Sequence, residues 1–353
     1  LYAMSMFNTI VNISESPLVP GLIYAGTDDG IIPVTEDGGR TWRRIDKLPG
    51  VPDRFFVNDI KADLHDPDTV YVVVDDHKSG DFSPYVLKST NRGKSWKSIA
   101  GNLPDRHILW RIVQDHEKPE LMVLGTEFGV FFTVNGGGGW TRLKGGAPNI
   151  PFRDLVIQTR ENDLVGATFG RSFYSLDDYT PLRSITEDML QNDTMLFPVR
   201  RAHWYVPRRP LGCSKEGCKG SQGDDFYAAP NPPFGATFTY YLPEPIRSRK
   251  DARREGEKEK EKRNESVDFP TWDRILGELR VDDPAIIFTV RDAAGNVVRH
   301  VAGPVEAGFH RVSWDLRYPS VEAWVPEDQR EEAWIPTAGV LVAPGSFSVS
   351  MQE

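Results

Sequence analysis

One short pattern occurs three times in the chain, at a spacing that only a few folds accommodate. Each copy is an octet that begins with Ser or Thr, carries Asp or Asn third and Gly fifth, and ends in Trp; the copies span 35–42, 89–96 and 133–140. The closing tryptophans lie 54 and 44 residues apart. This period is typical of the blades of a β-propeller, whose repeats are about 40–50 residues long.

The residue types of the octet are those of a tight hairpin turn. An Asp or Asn side chain accepts hydrogen bonds from nearby backbone N–H groups, and Gly adopts the positive φ that such a turn requires. The closing Trp begins the outgoing strand with a large buried area. We therefore predict structural roles for Thr35, Asp37, Gly39, Trp42, Ser89, Asn91, Gly93, Trp96, Thr133, Asn135, Gly137 and Trp140.

Two strand-like runs precede each octet, as they do in a four-stranded blade. They are 22–27 with 31–34, 70–74 with 85–88, and 121–126 with 130–133. A fourth pair, 163–168 with 172–176, ends at Asp177 without an octet. The pattern predicts an all-β chain in which residues 1–182 form the C-terminal blades of a partial β-propeller.

These motifs resemble the Asp-box propellers, also called bacterial neuraminidase repeat (BNR) propellers, a superfamily that includes sialidases, xyloglucan-cleaving glycosidases and the lumenal domain of sortilin. The segments 26–30, 125–129 and 168–172 are similar to those of large secreted bacterial proteins of the BNR-repeat glycosyl hydrolase type. The resemblance implies an extracellular, periplasmic or cell-surface protein. It also implies that the remaining blades of the ring lie upstream, so that the chain is a fragment.

Beyond the fourth blade the composition changes. Residues 183–234 are interpreted as a connector, in which we expect Trp204 and Tyr205 to be buried against a blade. Residues 235–353 carry five strand-like runs and a hairpin turn at 292–296, which predict a β-sandwich. Its strand at 308–317 resembles that of immunoglobulin-like domains of the flagellar-hook-capping type.

A charged insertion at 247–265 separates the first two strands of this sandwich. Of the 17 residues from Arg247 to Arg263, 14 are charged. The mixed signs predict a solvated helix with i,i+3 ion pairs rather than a nucleic-acid-binding arm. A net charge of −9 also argues against a nucleic-acid partner, and no run of about 20 apolar residues predicts a membrane span.

The two cysteines, Cys213 and Cys218, lie in the connector. A zinc site needs four ligands, and no Cys or His group stands nearby to complete one. A local disulfide is favoured, and an unpaired surface role is the alternative. We therefore expect neither a structural metal nor a cofactor.

Candidate functional residues lie in the loops between the second and third strands, on the face opposite the octets. The weak catalytic candidates are Asp28, Asp29, Asp75, Asp76 and Glu127, and the weak ligand-binding candidates are His77 and Arg171. Hydrolysis of a glycosidic bond needs two carboxyl groups about 5–10 Å apart for general acid/base work. Carboxylate oxygens also suit Ca²⁺, while Asp-Gly pairs form hairpin turns whatever the function.

Two functions of different classes follow from these observations. The first is a secreted or cell-surface protein whose propeller binds a glycan or a peptide. The alternative is a glycoside hydrolase whose catalytic carboxylates lie largely in the upstream blades. The two differ in whether the mouth of the propeller presents a pair of carboxylates above an aromatic cleft.

Overall fold

The computed structural model describes residues 9–186, 189–190, 194–205, 229, 231–320 and 339–352. The chain divides into two compact units, Leu1–Ile185 and Thr186–Glu353. Cys213 and Cys218 lie outside the described residues, as does most of the predicted connector. The domain boundaries drawn from the sequence, at 182 and 234, stay predictions.

Four antiparallel sheets follow one another in the first unit, and in each of them the strands pair in chain order. The first sheet comprises β1 (Ile10–Glu15), β2 (Ile23–Thr27), β3 (Ile32–Thr35) and β4 (Arg43–Ile45). The second comprises β5 (Phe56–Ala62), β6 (Val70–Asp76), β7 (Asp81–Ser89) and β8 (Lys97–Ser98). The third comprises β9 (Leu109–Gln114), β10 (Met122–Thr126), β11 (Gly129–Thr133) and β12 (Thr141–Arg142). The fourth has only β13 (Phe152–Gln158), β14 (Asp163–Thr168) and β15 (Phe173–Leu176).

Buried apolar residues join consecutive sheets face to face. One cluster combines residues of the first two sheets, such as Tyr24 and Val72, and another combines the second and third sheets, with Val73 and Leu124 among its members. Up-and-down sheets that pack in series through their faces are the blades of a β-propeller. The predicted all-β fold with a partial propeller is confirmed.

The three octets close by the same hydrogen bonds. In the first, the Thr35 hydroxyl donates to Asp37 Oδ1 at 2.8 Å, and the Gly39 N–H donates to Thr35 Oγ1 at 2.8 Å. Asp37 Oδ1 also accepts the Thr41 N–H at 2.9 Å. Equivalent bonds form in the octets at 89–96 and 133–140. The glycine in the fifth position has a φ between 78° and 92° in all three, a conformation that disfavours any residue with a Cβ.

The octet at 89–96 provides a test of this network. Asn91 accepts the Ser95 N–H at 2.8 Å and the Ser89 hydroxyl at 3.0 Å, and its amide donates to the Ser95 hydroxyl. We expect Asn91→Ala to lower the free energy of unfolding by about 1–2 kcal/mol, because backbone and hydroxyl groups lose their partners. Asn91→Asp is the matched control, since Asp37 fills the same position in the first octet. Urea denaturation that finds equal losses for the two variants would contradict this role.

A second turn recurs between the first and second strands of the blades, and sequence reasoning missed it. Ser16, Asp63 and Asp115 each precede a proline by four residues. The side chain of each accepts two backbone N–H groups from the turn that follows it, at 2.7–3.3 Å. A Ser or Asp four residues before a proline is the signal that marks this turn in the sequence.

This second turn lies directly beside the octets. Backbone hydrogen bonds of 2.8–3.0 Å join the two turns in three blades: Gly38 N to Gly21 O, Arg92 N to Asp68 O, and Gly136 N to Glu120 O. The octets and the turns between first and second strands therefore occupy one edge of the sheets. The loops between second and third strands lie at the opposite edge, which we call the mouth.

The closing tryptophans differ in burial, contrary to the expectation that all three are buried. Trp140 is 3% exposed and donates its indole N–H to Ile99 O of the preceding blade at 2.8 Å, whereas Trp42 is 50% exposed. The physical reason is that each closing Trp packs against the blade before its own. No described blade precedes the first, so Trp42 lacks that contact.

A buried ionic network ties the end of the first unit to the third blade. Asp115 is fully buried, and its carboxylate accepts hydrogen bonds from Arg183 at 2.8 and 2.9 Å and from the Tyr179 hydroxyl at 2.5 Å. Arg183 belongs to the short helix α1 (Pro181–Ser184). Burial alone raises the pKa of Asp115, but the hydrogen bonds from Arg183, Tyr179 and the Lys118 N–H together hold it below its ordinary value.

The second unit has two antiparallel sheets of three strands. One comprises β16 (Met195–Leu196), β17 (Ala236–Leu242) and β20 (Gly308–Trp314), and the other comprises β18 (Ile286–Arg291), β19 (Val297–Gly303) and β21 (Ser348–Gln352). Buried residues of both sheets, Tyr240 and Phe288 among them, form one core, as in a β-sandwich. The predicted turn is present, with Asp292 accepting the Asn296 N–H at 2.8 Å. Its assignment as immunoglobulin-like stays a prediction.

Trp204 and Tyr205 are 49% and 48% exposed, so the expectation that both are buried is wrong. The aromatic partner of Tyr205 is Phe234, whose ring meets it edge-on at 5.0 Å. Helix α2 spans Arg249–Lys262 within the charged insertion, and helix α3 spans Trp272–Leu279 after it. Two ion pairs of α2, Arg253–Glu257 and Arg263–Glu259, have i,i+4 rather than the predicted i,i+3 spacing, because residues four apart also lie on one helix face. No helix among the described residues combines the length and the hydropathy needed to cross a bilayer.

Candidate functional site

Two adjoining cavities open at the mouth, with volumes of about 360 and 410 Å³. Phe56, Asp75 and Lys78 line both of them. His77 lines the first cavity, which extends toward the third and fourth blades. The second lies against the first blade and is lined by three further predicted candidates: Asp28, Asp29 and Asp76. Glu127 and Arg171, the other two predicted site residues, line neither cavity.

A β-bulge recurs near the start of the first strand of every blade. In each case one residue is inserted between two regular cross-strand pairs: Val11, Asn58, Trp110 and Arg153. Bulges bend a strand and re-aim the extra side chain, and they are frequent beside active sites. Asn58, Trp110 and Arg153 line the 360 Å³ cavity. Sequence reasoning missed these residues because a bulge leaves no period in the hydrophobic pattern.

Asp75 bonds to the turn of its blade in place of a threonine hydroxyl. The residue paired next to the bulge is Thr27, Val74, Thr126 and Thr168 in the four blades. Each of the three threonines uses its hydroxyl in a hydrogen bond that closes the next turn. The second blade carries a valine there, and its turn bonds instead to the carboxylate of Asp75, one residue further on.

Only one oxygen of Asp75 takes over the role of that hydroxyl. Oδ1 accepts the His77 backbone N–H at 3.1 Å and also contacts His77 Nδ1. The side chain is 2% exposed, and Oδ2 is buried without a hydrogen-bond partner among the described residues. An unpaired buried oxygen costs free energy, so its retention points to a group that it receives from outside the protein.

His77 belongs to a 3-10 turn, His77–Ser79, in the connection between β6 and β7. Because Nδ1 faces the Asp75 carboxylate, the orientation of the imidazole is fixed, and Nε2 is the nitrogen left for a ligand. The ring meets Trp110 edge-on, with 6.1 Å between ring centroids. Asp75 and His77 thus form one preorganised polar unit in the wall of the cavity.

Aromatic rings hold the two cations that line this cavity. The Arg153 guanidinium stacks on Trp110, 3.4 Å from the ring centroid, and Lys78 Nζ lies 5.2 Å from the centroid of Phe56. Neither cation forms an ion pair with a described carboxylate. Trp110 is 7% exposed and donates its indole N–H to Glu127 at 3.0 Å. These rings position charge and offer little open surface for stacking.

The other predicted carboxylates all accept hydrogen bonds from nearby groups. Asp28 accepts the Thr9 N–H at 2.9 Å, Asp29 accepts the Thr27 hydroxyl at 2.5 Å, and Asp76 accepts the Ser79 hydroxyl at 2.7 Å. The bonds of Asp29 and Asp76 close the turns that carry these side chains, and the bond of Asp28 joins its turn to Thr9, directly before β1. Within the described part of the chain, no group of three or more Asp, Glu, His or Cys residues is arranged to hold a metal ion.

Comparison with known proteins finds similar chains among solved structures. No protein-family model and no curated sequence matches the chain. Similar solved structures include a GH74 enzyme of Niastella koreensis, 13% identical with a TM-score of 0.40 over 48% of this chain and 29% of that one. A GH74 xyloglucanase of Xanthomonas campestris is 18% identical, with a TM-score of 0.40 over 50% and 29%. YCF48 bound to the D1 peptide is 18% identical, with a TM-score of 0.35 over 48% and 52%.

The first unit is part of a β-propeller. This rests on the blades themselves, since the identities and TM-scores of these similar structures are low. The aligned regions span 29–52% of the lengths of the three structures. Their ligands and activities belong to those proteins.

Proposed function

We propose that this chain is the ligand-binding part of a larger β-propeller protein and that its mouth binds a glycan or a peptide. The observation that carries this proposal is Asp75, a buried carboxylate with one oxygen left unpaired in a cavity. A ligand hydroxyl, ammonium or amide N–H would supply the missing donor. His77, Arg153 and Lys78 supply further polar contacts around the same cavity.

Binding is favoured over hydrolysis by the state of the other carboxylates. Glycosidases need two carboxyl groups on opposite sides of the scissile bond, one as the acid and one as the nucleophile or base. Asp28, Asp29 and Asp76 each already accept a hydrogen bond from a neighbouring group of their own blade. The alternative, a glycoside hydrolase, requires that blades upstream of this chain supply a partner for Asp75.

The proposed context is a secreted or cell-surface protein of the Asp-box type, with further blades completing the ring. The exposed apolar face of the first blade supports this, since Ile13 is 66% and Trp42 is 50% exposed. The described blades bury such faces against each other. The sandwich unit would then act as an immunoglobulin-like spacer or attachment module.

Asp75→Thr tests the proposal, because a threonine hydroxyl can still accept the His77 N–H while the second, unpaired oxygen is removed. We expect the variant to be more stable than the parent by about 1 kcal/mol, since the unpaired buried oxygen is removed. We expect its affinity for the ligand to fall at least about 10-fold, because a ligand donor loses its partner. Thermal unfolding and binding to glycan and peptide arrays provide the two measurements.

Asp29→Asn is the matched control, since Asp29 lies in the loop of the first blade and the Asn amide oxygen can still accept the Thr27 hydroxyl. Binding that survives Asp75→Thr unchanged would remove Asp75 from the site. Release of reducing sugar by the full-length protein, abolished by Asp75→Thr and by Asp75→Asn, would favour the hydrolase instead.

A further inference from the structure

Helix α3, which follows the charged insertion, exposes a continuous apolar stripe. Trp272, Leu276 and Leu279 are 73%, 45% and 69% exposed. Their i, i+4, i+7 spacing puts all three on one face of the helix. Phe269 and Val281, just outside the two helix ends, are also exposed. Such a spacing is the one by which an amphipathic helix docks onto a partner surface.

The neighbouring helix does not cover this stripe. α2 contacts α3 through a bidentate ion pair, with Arg253 Nε and Nη2 lying 2.8 and 2.9 Å from the Glu278 carboxylate. The Glu278 side chain is 6% exposed, so the face of α3 that carries Glu278 is the one that α2 covers. α2 has no buried residue and no apolar side chain larger than Ala252. The apolar stripe therefore lies on a face of α3 that points away from α2.

The charges beside the stripe identify a partner that fits it. Asp273 and Arg280 are seven residues apart and so lie on the same flank of α3, and both are exposed. Neither forms an ion pair with a described residue. When two copies of α3 pack antiparallel about a two-fold axis between Leu276 and Gly277, Trp272 lies opposite Val281 of the second copy. The same operation places Asp273 of each copy opposite Arg280 of the other.

We infer that α3 is a homodimerisation helix and that its partner is α3 of a second copy of this chain. Burial of Phe269 and Trp272 alone would remove about 300 Å² of surface from water per copy, because a buried aromatic residue covers about 150–250 Å². Leu276, Leu279 and Val281 add to this on both sides of the two-fold axis. An interface of this size is at the lower end for specific complexes, so the dimer is reversible and forms at micromolar concentrations.

Sedimentation velocity of the whole chain over a concentration series tests the inference. We expect a reversible monomer–dimer equilibrium that Trp272→Ser combined with Leu279→Ser weakens by about 100-fold or more, since each substitution acts twice in a symmetric dimer. Phe173→Ser is the matched control, because Phe173 is also 73% exposed but lies on the fourth blade. A chain that stays monomeric, or a dimer that only Phe173→Ser dissociates, would overturn the inference.

Charge exchange provides a readout that a purely structural role of α3 would not move. Asp273→Arg and Arg280→Asp each place like charges opposite one another twice per dimer, and each is expected to weaken self-association about 10-fold. A mixture of the two single variants restores both pairs, so the heterodimer is expected to form more tightly than either variant alone. Equal association in the mixture and in the separate variants, or vesicle binding that Trp272→Ser abolishes in a monomer, would overturn the inference.

Discussion

Replacing Asp115 by alanine is expected to lower the free energy of unfolding of the first unit by about 3–5 kcal/mol. The loss is large because Arg183, whose side chain is only 15% exposed, would keep its charge and lose its buried partner. Tyr179, which is also buried, would lose the acceptor of its hydroxyl. Denaturant unfolding followed by tryptophan fluorescence measures this loss.

The same carboxylate makes stability depend on pH. The pKa of Asp115 is lower in the folded protein than its ordinary value of 3.8. The unfolded state therefore binds the proton more readily, and the contribution of Asp115 is fully present above the unfolded value. It is lost as the pH falls through the lower folded value. Asp115→Asn is expected to flatten this part of the stability profile.

Glu117→Gln is the control for both measurements. Glu117 also pairs with Arg183, at 2.7 Å, but its side chain is 59% exposed. Exposed ion pairs contribute about 0–1 kcal/mol, so we expect a small effect that salt screens. If Asp115→Ala cost no more than Glu117→Gln, the network would not hold the end of the unit in place.

Trp140→Ala is expected to lower the free energy of unfolding by about 3–5 kcal/mol, the usual cost of removing a buried Trp. The indole fills the contact between the second and third blades, and its N–H bonds to Ile99 O. Trp42→Ala removes the same residue from the same position of the first octet. Because Trp42 is 50% exposed, we expect a cost of less than about 1 kcal/mol.

The pair also tests the proposal that further blades complete the ring. In a longer protein whose preceding blade packs on the first, Trp42→Ala should become nearly as costly as Trp140→Ala. A cost for Trp42→Ala that stays small in such a protein would leave the first blade at an edge. Equal costs in the present chain would contradict the burial described here.

The fold could be predicted from the sequence wherever a residue type has a local reason for its place. The Gly in each octet and the Asp or Asn before it satisfy turn geometry within eight residues, so the pattern alone identifies the blades. The prediction that Trp42 is buried was wrong because its burial depends on a neighbouring blade. The prediction that Trp204 and Tyr205 are buried was wrong for a similar reason, since aromatic character does not specify a packing partner.

The candidate site was predicted only in part. The loops that carry Asp75 and His77 follow from the strand order, which puts them at the mouth. The unpaired oxygen of Asp75 became visible only in the structure, because it depends on which groups surround the side chain. Trp110 and Arg153 were missed because a bulge redirects a side chain without leaving a mark in the amino-acid composition of the strand.

The bulges also separate what the mouth recognises from what keeps the blades folded. One backbone position is occupied by an aliphatic residue, an amide, an aromatic ring and a guanidinium in four successive blades. A scaffold that tolerates such different chemistry at one site can acquire a new ligand by single substitutions. Asn58, which lines the 360 Å³ cavity, is therefore a position at which a single substitution is expected to change specificity without disturbing the blade.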